Sequence, residues 1–285
     1  MTEQRDELDV GLTHEWEDFS LAGSYRYSVE NDYESHGVSA TGTLDLAQNN
    51  TTLSLAAYAF QDLVGRSGHP LFSRELTTAG VRASLTQVLG PQMFAQLSYE
   101  LASLSGYQAS PYRFVGIGGT GFGCEQASLC QPEHEPNQRF RHAFAALLRR
   151  ALSKELSIGA NYRFYVDSWG LTSHTVSGEL DWLLGSSSQI SISYRYYTQT
   201  GVSFYQRVYA LPSGPNRYTT RDREQSPMSD QRVGLDWEQA MPIGGADTRL
   251  VLRTSVAGLL YDYANFVGLA QVKALELTLA LRLEH

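Results

Sequence analysis

The sequence predicts an all-β chain, a transmembrane antiparallel up-and-down β-barrel of about 12 to 14 strands. Three observations predict it. Polar and apolar residues alternate along almost the whole chain, the period of a strand with two unlike faces. Aromatics are sorted by end: Tyr25-Arg26-Tyr27, Tyr162-Arg163-Phe164-Tyr165 and Tyr194-Arg195-Tyr196-Tyr197 close some stretches, while Trp16, Trp182 and Trp237 close others beside short polar turns. If neighbouring strands run in opposite directions, the tyrosines gather at one rim and the tryptophans at the other, as two aromatic belts do around an apolar band. Connections also alternate in length, short at 17–18, 48–50, 90–91, 153–155, 185–188 and 242–246, long at 66–75, 104–138 and 201–229. Short periplasmic turns and long extracellular loops are the asymmetry of an outer-membrane barrel, so the tryptophan rim is expected to face the periplasm.

The strands follow in order. Leu8, Val10 and Leu12 alternate with Asp9, Gly11 and Thr13 and end at Trp16. After Glu17-Asp18 come Leu21, Gly23, Tyr25 and Tyr27, then the turn Glu30-Asn31-Asp32-Tyr33 and Val38 to Leu46. Gln48-Asn49-Asn50 leads to Leu53, Leu55 and Ala57, and the Asn50-Thr51-Thr52 sequon reads as a chance match within a turn. Ala79 to Leu85, the Gly90-Pro91 turn and Ala95 to Leu101 form the next pair. Beyond the longest insertion, Phe144 to Leu148 descend and Ile158 to Phe164 return; Val176 to Trp182 and Ile190 to Tyr196 follow. Val233 to Trp237, Leu250 to Leu260 and Leu275 to Leu281 complete the series. An odd count sits awkwardly with the even-numbered bacterial barrels. The expectation is one further strand ahead of the chain, giving fourteen; a misread segment would give twelve.

Composition agrees. No run of about 18 apolar residues is present, which rules out a helical span. Mean hydropathy is negative, as a barrel permits because alternate residues face its lumen. The formal charge of -8, with no basic cluster, argues against nucleic acid. The opening Met1-Thr2-Glu3-Gln4 is charged and lacks an apolar secretory core, so the chain reads as a mature fragment of an exported protein, and Leu283-Glu284-His285 fits either an expression tag or native sequence. The two cysteines, Cys124 and Cys130, lie together in the 104–138 insertion and read as a local disulfide in an oxidising compartment. Reduced thiols or a metal site are the alternatives; Glu133, His134 and Glu135 lie near, in no standard ligand spacing.

The same alternation turns a set of charged residues inward. Arg26, Arg163 and Arg195 fall near the outer rim, with Glu30, Arg82, Glu100, Arg139, Arg141 and Arg149 on the same face. Glu179, Asp181, Asp236 and Glu238 fall nearer the periplasm, with Arg249, Arg253 and Glu276. The expected pattern is a basic ring outside and an acidic ring inside, which would select solutes by charge. The bland alternative is an ion-pair network filling a narrow lumen. A barrel of this size lies between the filled eight-stranded and the water-filled sixteen-stranded kind, and the 104–138 insertion is long enough to fold inward as a constriction.

Catalysis finds little support. Ser173 and His174 are adjacent on a strand and point to opposite faces. Only long-range partners, such as His142 with Asp222 or Glu224, could build a nucleophile and base. No phosphate loop or metal spacing appears, so no catalytic residue, metal or cofactor is expected. The aromatic segments 107–113 and 218–228 read as ligand contacts or, more simply, as loops packing on one another at the rim.

Several of these segments carry a resemblance. Glu30 to Ser35, Asn50 to Leu55, Gly106 to Arg113, Arg139 to Ala143, Tyr162 to Gly170, Ser173 to Thr175, Tyr196 to Gln199, Phe204-Tyr205 and Asp222 to Met228 resemble, in order, an uncharacterised family of outer-membrane β-barrels of myxobacteria and other Gram-negative bacteria, a domain of unknown function. The resemblance implies the fold and a bacterial outer-membrane location for residues 1–285 as one barrel domain, and supplies no catalytic residues. Members similar to this chain have a signal peptide and another strand ahead of the equivalent of Thr2, which agrees with truncation.

The function expected is a narrow, porin-like conduit for small polar or anionic solutes, lined by the charges above and in contact with outer-membrane lipid and lipopolysaccharide. The alternatives are an occluded barrel that serves as a scaffold for a periplasmic or surface partner and, behind it, a surface hydrolase.

Overall fold

The computed structural model describes residues 4–120, 123–211, 217–243, 248–263 and 265–284. They form fifteen strands: β1 (Asp6–Glu15), β2 (Phe19–Val29), β3 (Tyr33–Leu46), β4 (Thr51–Val64), β5 (Arg74–Gly90), β6 (Met93–Gly106), β7 (Phe114–Gly119), β8 (Ala127–Pro132), β9 (Gln138–Ala151), β10 (Leu156–Asp167), β11 (Thr172–Leu184), β12 (Ser188–Gln199), β13 (Met228–Pro242), β14 (Arg249–Asp262) and β15 (Gln271–Glu284). Thirteen make one antiparallel sheet in chain order, interrupted only by the β7–β8 hairpin, which stands apart. No described helix is long and apolar enough to cross a membrane. The architecture is the up-and-down wall of an outer-membrane β-barrel. Its sheet is not closed: the strand order ends at β1 and at β15.

Register keeps one face polar from end to end. Asp9 lies opposite Arg26 and Arg26 opposite Gly37. Ser39 opposes Tyr58, Arg82 opposes Glu100, and Gly159 opposes both Arg149 and Glu179. Ser191 opposes Asp236, and Asp236 opposes Ser255. The other face carries Leu8, Leu21, Val38, Leu55, Leu97, Ile158, Val176, Ile192, Val233 and Leu277, all exposed. An apolar surface laid bare on every second residue has no packing partner within the chain, and acyl chains are the environment that suits it. A one-residue slip would exchange the faces, so the pattern itself pins the register.

Trp16, Trp182 and Trp237 stand exposed on the apolar face at the end of the short turns, and Tyr25, Tyr162, Tyr194 and Tyr196 at the other end. The fourth tryptophan, Trp169, is buried in the outer connection between β10 and β11. On the short side, the β3–β4 turn is built from Ala47, Gln48 and Asn49, all with positive φ, with the Asn50 side chain donating to the Ala47 carbonyl. The expected turn at 242–246 lies partly outside the described residues.

The long side differs in detail from the sequence reading. The connection expected at 66–75 spans 65–73, that at 201–229 spans 200–227, and a further outer connection at 263–270 went unnoticed because it has no distinctive composition. The insertion expected at 104–138 holds the β7–β8 hairpin, whose strands are only six residues each and, in β7, buried at three consecutive positions, so no alternation shows. Gly106 starts this excursion. Its φ of 121° and a virtual Cβ 2.2 Å from the Glu75 carbonyl leave room for no side chain.

The buried core lies in these loops. The largest fully buried side chains are Tyr209, Ile117, Val115, Thr219, Thr220 and Ser226. Val115 and Ile117 of β7 pack on Tyr209, and Ile117 bridges to Tyr209 through the backbone. Beside them Trp169, Leu171 and Val202 form a second cluster, joined by Tyr165, Phe204 and Tyr205. A further bridge links His134 to Thr219. The described residues of the 107–137 and 200–227 connections are thereby folded together as a cap on the outer end of the wall.

Candidate functional site

The polar face divides into two kinds of wall. Along β2 to β6 its middle carries Ser24, Ser39, Thr41, Thr43, Ser54, Ala56, Ser84 and Ser98, small side chains that leave space above them. Ser24 and Ser39 hydrogen-bond to each other at 2.8 Å. Two aromatic rings interrupt this surface. Phe60 lies over Gly37 and Tyr58 over Gly80, each filling the space a Cβ would take. Tyr58 thereby places its hydroxyl 2.8 Å from Glu100 Oε1, to which it donates.

Along β9 to β14 the face is charged, and the structure corrects the expected segregation into a basic and an acidic ring. The residues are paired. Arg26 donates to Asp9 (2.9 Å) and lies 3.6 Å from Glu7. Arg195 donates to the buried carboxylate of Asp230 at 2.5 Å. Arg149 reaches Glu179 at 2.5 Å and Asp181 at 3.3 Å, and Arg253 reaches Asp236 at 3.0 Å. Where arginines and carboxylates occupy neighbouring strands at similar heights, as at Arg26, Arg149, Arg195 and Arg253, the long guanidinium folds down onto an acid. Glu238 lies opposite Arg253, and Arg249 opposite Glu284. Two polar hollows follow from this arrangement. One of about 330 Å³ is bounded by Arg149, Glu179, Arg195 and Arg232; the other, of about 200 Å³, by Asp181, Asp236, Glu238 and Arg253. A wider hollow of about 850 Å³, lined by Phe19, Leu53, Leu97 and Phe144, lies on the apolar face and is acyl-chain surface rather than a solute site.

At the outer end one carboxylate organises the mouth. Asp167 Oδ2 accepts from Arg139 Nε and Nη2 and from the Tyr165 hydroxyl, while Oδ1 accepts the backbone N–H groups of Trp169 and Leu171. The Arg139 guanidinium also stacks 4.1 Å from the Trp169 ring. The Tyr-Arg-aromatic signal marks this rim, but nothing in the local sequence shows that Asp167 and Trp169 organise it.

The cap has its own polar centre. Glu133 and Glu135, both 5 % exposed, turn inward, whereas His134 between them is exposed beside Tyr218. The three do not converge, which removes the metal alternative raised for them. Glu133 Oε1 accepts from the Thr220 hydroxyl (3.2 Å) and the Arg221 N–H (2.5 Å), and Glu135 Oε1 from Gln225 Nε2 (2.6 Å). The second oxygen of each has no hydrogen-bond donor. Burial pushes the Glu133 carboxyl up and raises Glu135 to about 7. Cys124 and Cys130 form a disulfide that ties the connection between β7 and β8 back onto β8.

The candidate catalytic pairs are not assembled. Ser173 is buried on the polar face, while His174 on the apolar face takes a 2.8 Å hydrogen bond with the Tyr162 hydroxyl. His142 makes the same bond with Tyr99, and Asp222 is held by Arg113 and by the N–H of Glu224.

Solved structures to which the chain is similar are outer-membrane proteins, and one of them supports the fold. The siderophore receptor PirA from Pseudomonas aeruginosa aligns at a TM-score of 0.53 and 11% identity, over 91% of this chain and 50% of its own length. The KdgM porin in complex with disordered oligogalacturonate aligns at 0.32 and 12% identity, over 86% of this chain and 90% of that one. BamA from Haemophilus ducreyi lacking POTRA domains 1-3 aligns at 0.39 and 9% identity, over 98% and 66%. No curated protein matches the sequence. A family model, however, matches residues 1–76 and 72–250, and the chain belongs to that family, described as protein of unknown function (DUF3570).

Proposed function

We propose that the protein is a narrow, porin-like conduit for small polar or anionic solutes in the bacterial outer membrane. In this reading Arg26, Arg163, Arg195, Glu179, Asp181, Asp236, Glu238, Arg249 and Arg253 line the path, and residues 1–285 act as one barrel domain. The observation that carries it is a mainly polar face shared by all thirteen strands of the wall, hydroxyl-rich on one side and ion-paired on the other. A filled barrel packs its interior with interlocking side chains, whereas this face keeps hollows between its charges. The outer aromatic belt suits contact with lipopolysaccharide, and the short turns present little surface to a periplasmic partner.

One observation favours the occluded scaffold instead: the outer loops bury a core of their own above the mouth. Single-channel recording in planar bilayers separates the two. The conduit predicts steady, small, voltage-tolerant conductance steps from folded full-length protein. Silence from protein that inserts and resists unfolding in detergent would leave the scaffold.

A further inference from the structure

Arg82, Arg139, Arg141 and Arg163 lie on the outer half of the polar face of β5, β9 and β10, with Glu100 of β6 opposite Arg82 and Asp167 of β10 opposite Arg141. Both acids are already engaged. Glu100 takes Arg82 (2.9 Å) and the Tyr58 hydroxyl. Asp167 accepts five donors, none of them from Arg141, although Arg141 is its direct cross-strand neighbour. Arg141 keeps a buried Nε without a hydrogen-bond partner. Arg163 lies against the Tyr165 ring, 5.6 Å from its centre, and no carboxylate among the described residues reaches it within ion-pair distance.

The ground between these two arginines is small. Arg141 faces Ala102 and Asp167 across its strand pairs, and Arg163 faces Ala145. Between them the polar face of β9 carries only Ala143 and Ala145, opposite Glu100 and Ser98. The two backbones stand ~13 Å apart along the strands, a span within the combined reach of two arginine side chains. Tyr165 walls one side. Arg141 is partly buried and leaves a donor unpaired, whereas Arg163 is exposed and shares the field of Glu100; an anion held between the two gives Arg141 the charge-assisted hydrogen bond it lacks.

We propose that Arg141 and Arg163 form an anion-binding site in the outer mouth, sized for a carboxylate or sulfate group carried by a small solute. The site rests on the conduit reading and names its solute class. Arg26 and Arg195, the other outer arginines of that reading, are paired with Asp9 and Asp230 and are not part of it.

Sulfate is the probe. Calorimetric titration of the full chain in detergent micelles at low ionic strength should give binding that weakens at least tenfold in Arg141→Gln/Arg163→Gln, weakens steeply with added chloride, and largely returns in Arg141→Lys/Arg163→Lys. Gel mobility of unheated samples, which distinguishes folded from unfolded barrels, establishes that each variant is folded. Unchanged sulfate binding in the folded Gln pair, or none in the parent protein, overturns the site. Conductance without sulfate binding would overturn this inference alone; sulfate binding without conductance would retire the conduit and leave the site.

Discussion

At the scale of single residues, the carboxyl of Glu135 couples the cap to pH. Its ordinary value is 4.5 and burial raises it to about 7. The folded cap therefore holds a proton that the unfolded segment releases between those values. Stability is full below about pH 4.5 and is lost as pH rises through 7, on the order of 3 kcal/mol as an upper limit. Hydrogen exchange of segments 131–136 and 217–226, corrected for intrinsic rates, should accelerate between pH 5 and 8. In Glu135→Gln that acceleration should fall by more than half; an unchanged slope would remove Glu135 from the explanation. None of this was legible beforehand. The pair Glu133 and Glu135 is visible as two acids flanking a histidine, but their burial is made by Thr220 and Gln225, nearly ninety residues away in the chain. Arg26, Arg163 and Arg195 were placed on the polar face by period alone, since the period fixes a face. It does not fix partners: Asp230 beside Arg195 depends on the register of β12 on β13.

Among elements, the β7–β8 hairpin is the one with a covalent staple. Cys124 and Cys130 are separated by 6 positions, so their bond closes a short loop and contributes about 2 kcal/mol by loop entropy. Its stabilisation is local. Cys124→Ser/Cys130→Ser should leave the thirteen-stranded wall as resistant to heat and protease as before, while limited proteolysis should nick 114–132 several times faster. Equal nicking rates would mean that the Val115, Ile117 and Tyr209 cluster holds the hairpin without help. The wall strands were readable because each presents one lipid-facing and one polar face. The hairpin was not, because Val115, Gly116 and Ile117 are consecutively buried between other loops, and burial on both faces erases alternation.

For the whole molecule, the two ends of the wall predict opposite exposures. In intact cells, with both native cysteines replaced by serine, a membrane-impermeant maleimide should label Ser67→Cys in the outer connection and spare Lys154→Cys in the turn before β10 until the outer membrane is breached. The reverse labelling would invert the orientation. The open edges of the sheet carry a further consequence. β1 and β15 both run from the loop-rich end to the turn-rich end, so a direct seam between them would be a parallel pair in a wall whose every other pairing is antiparallel. The seam is therefore polarised by count: only an odd number of strands, the first rising where its neighbour descends, can zip it in the pattern of the rest. Leu8, Leu12, Leu277 and Leu281 are exposed along these two edges, where strand direction constrains pairing before any side chain does.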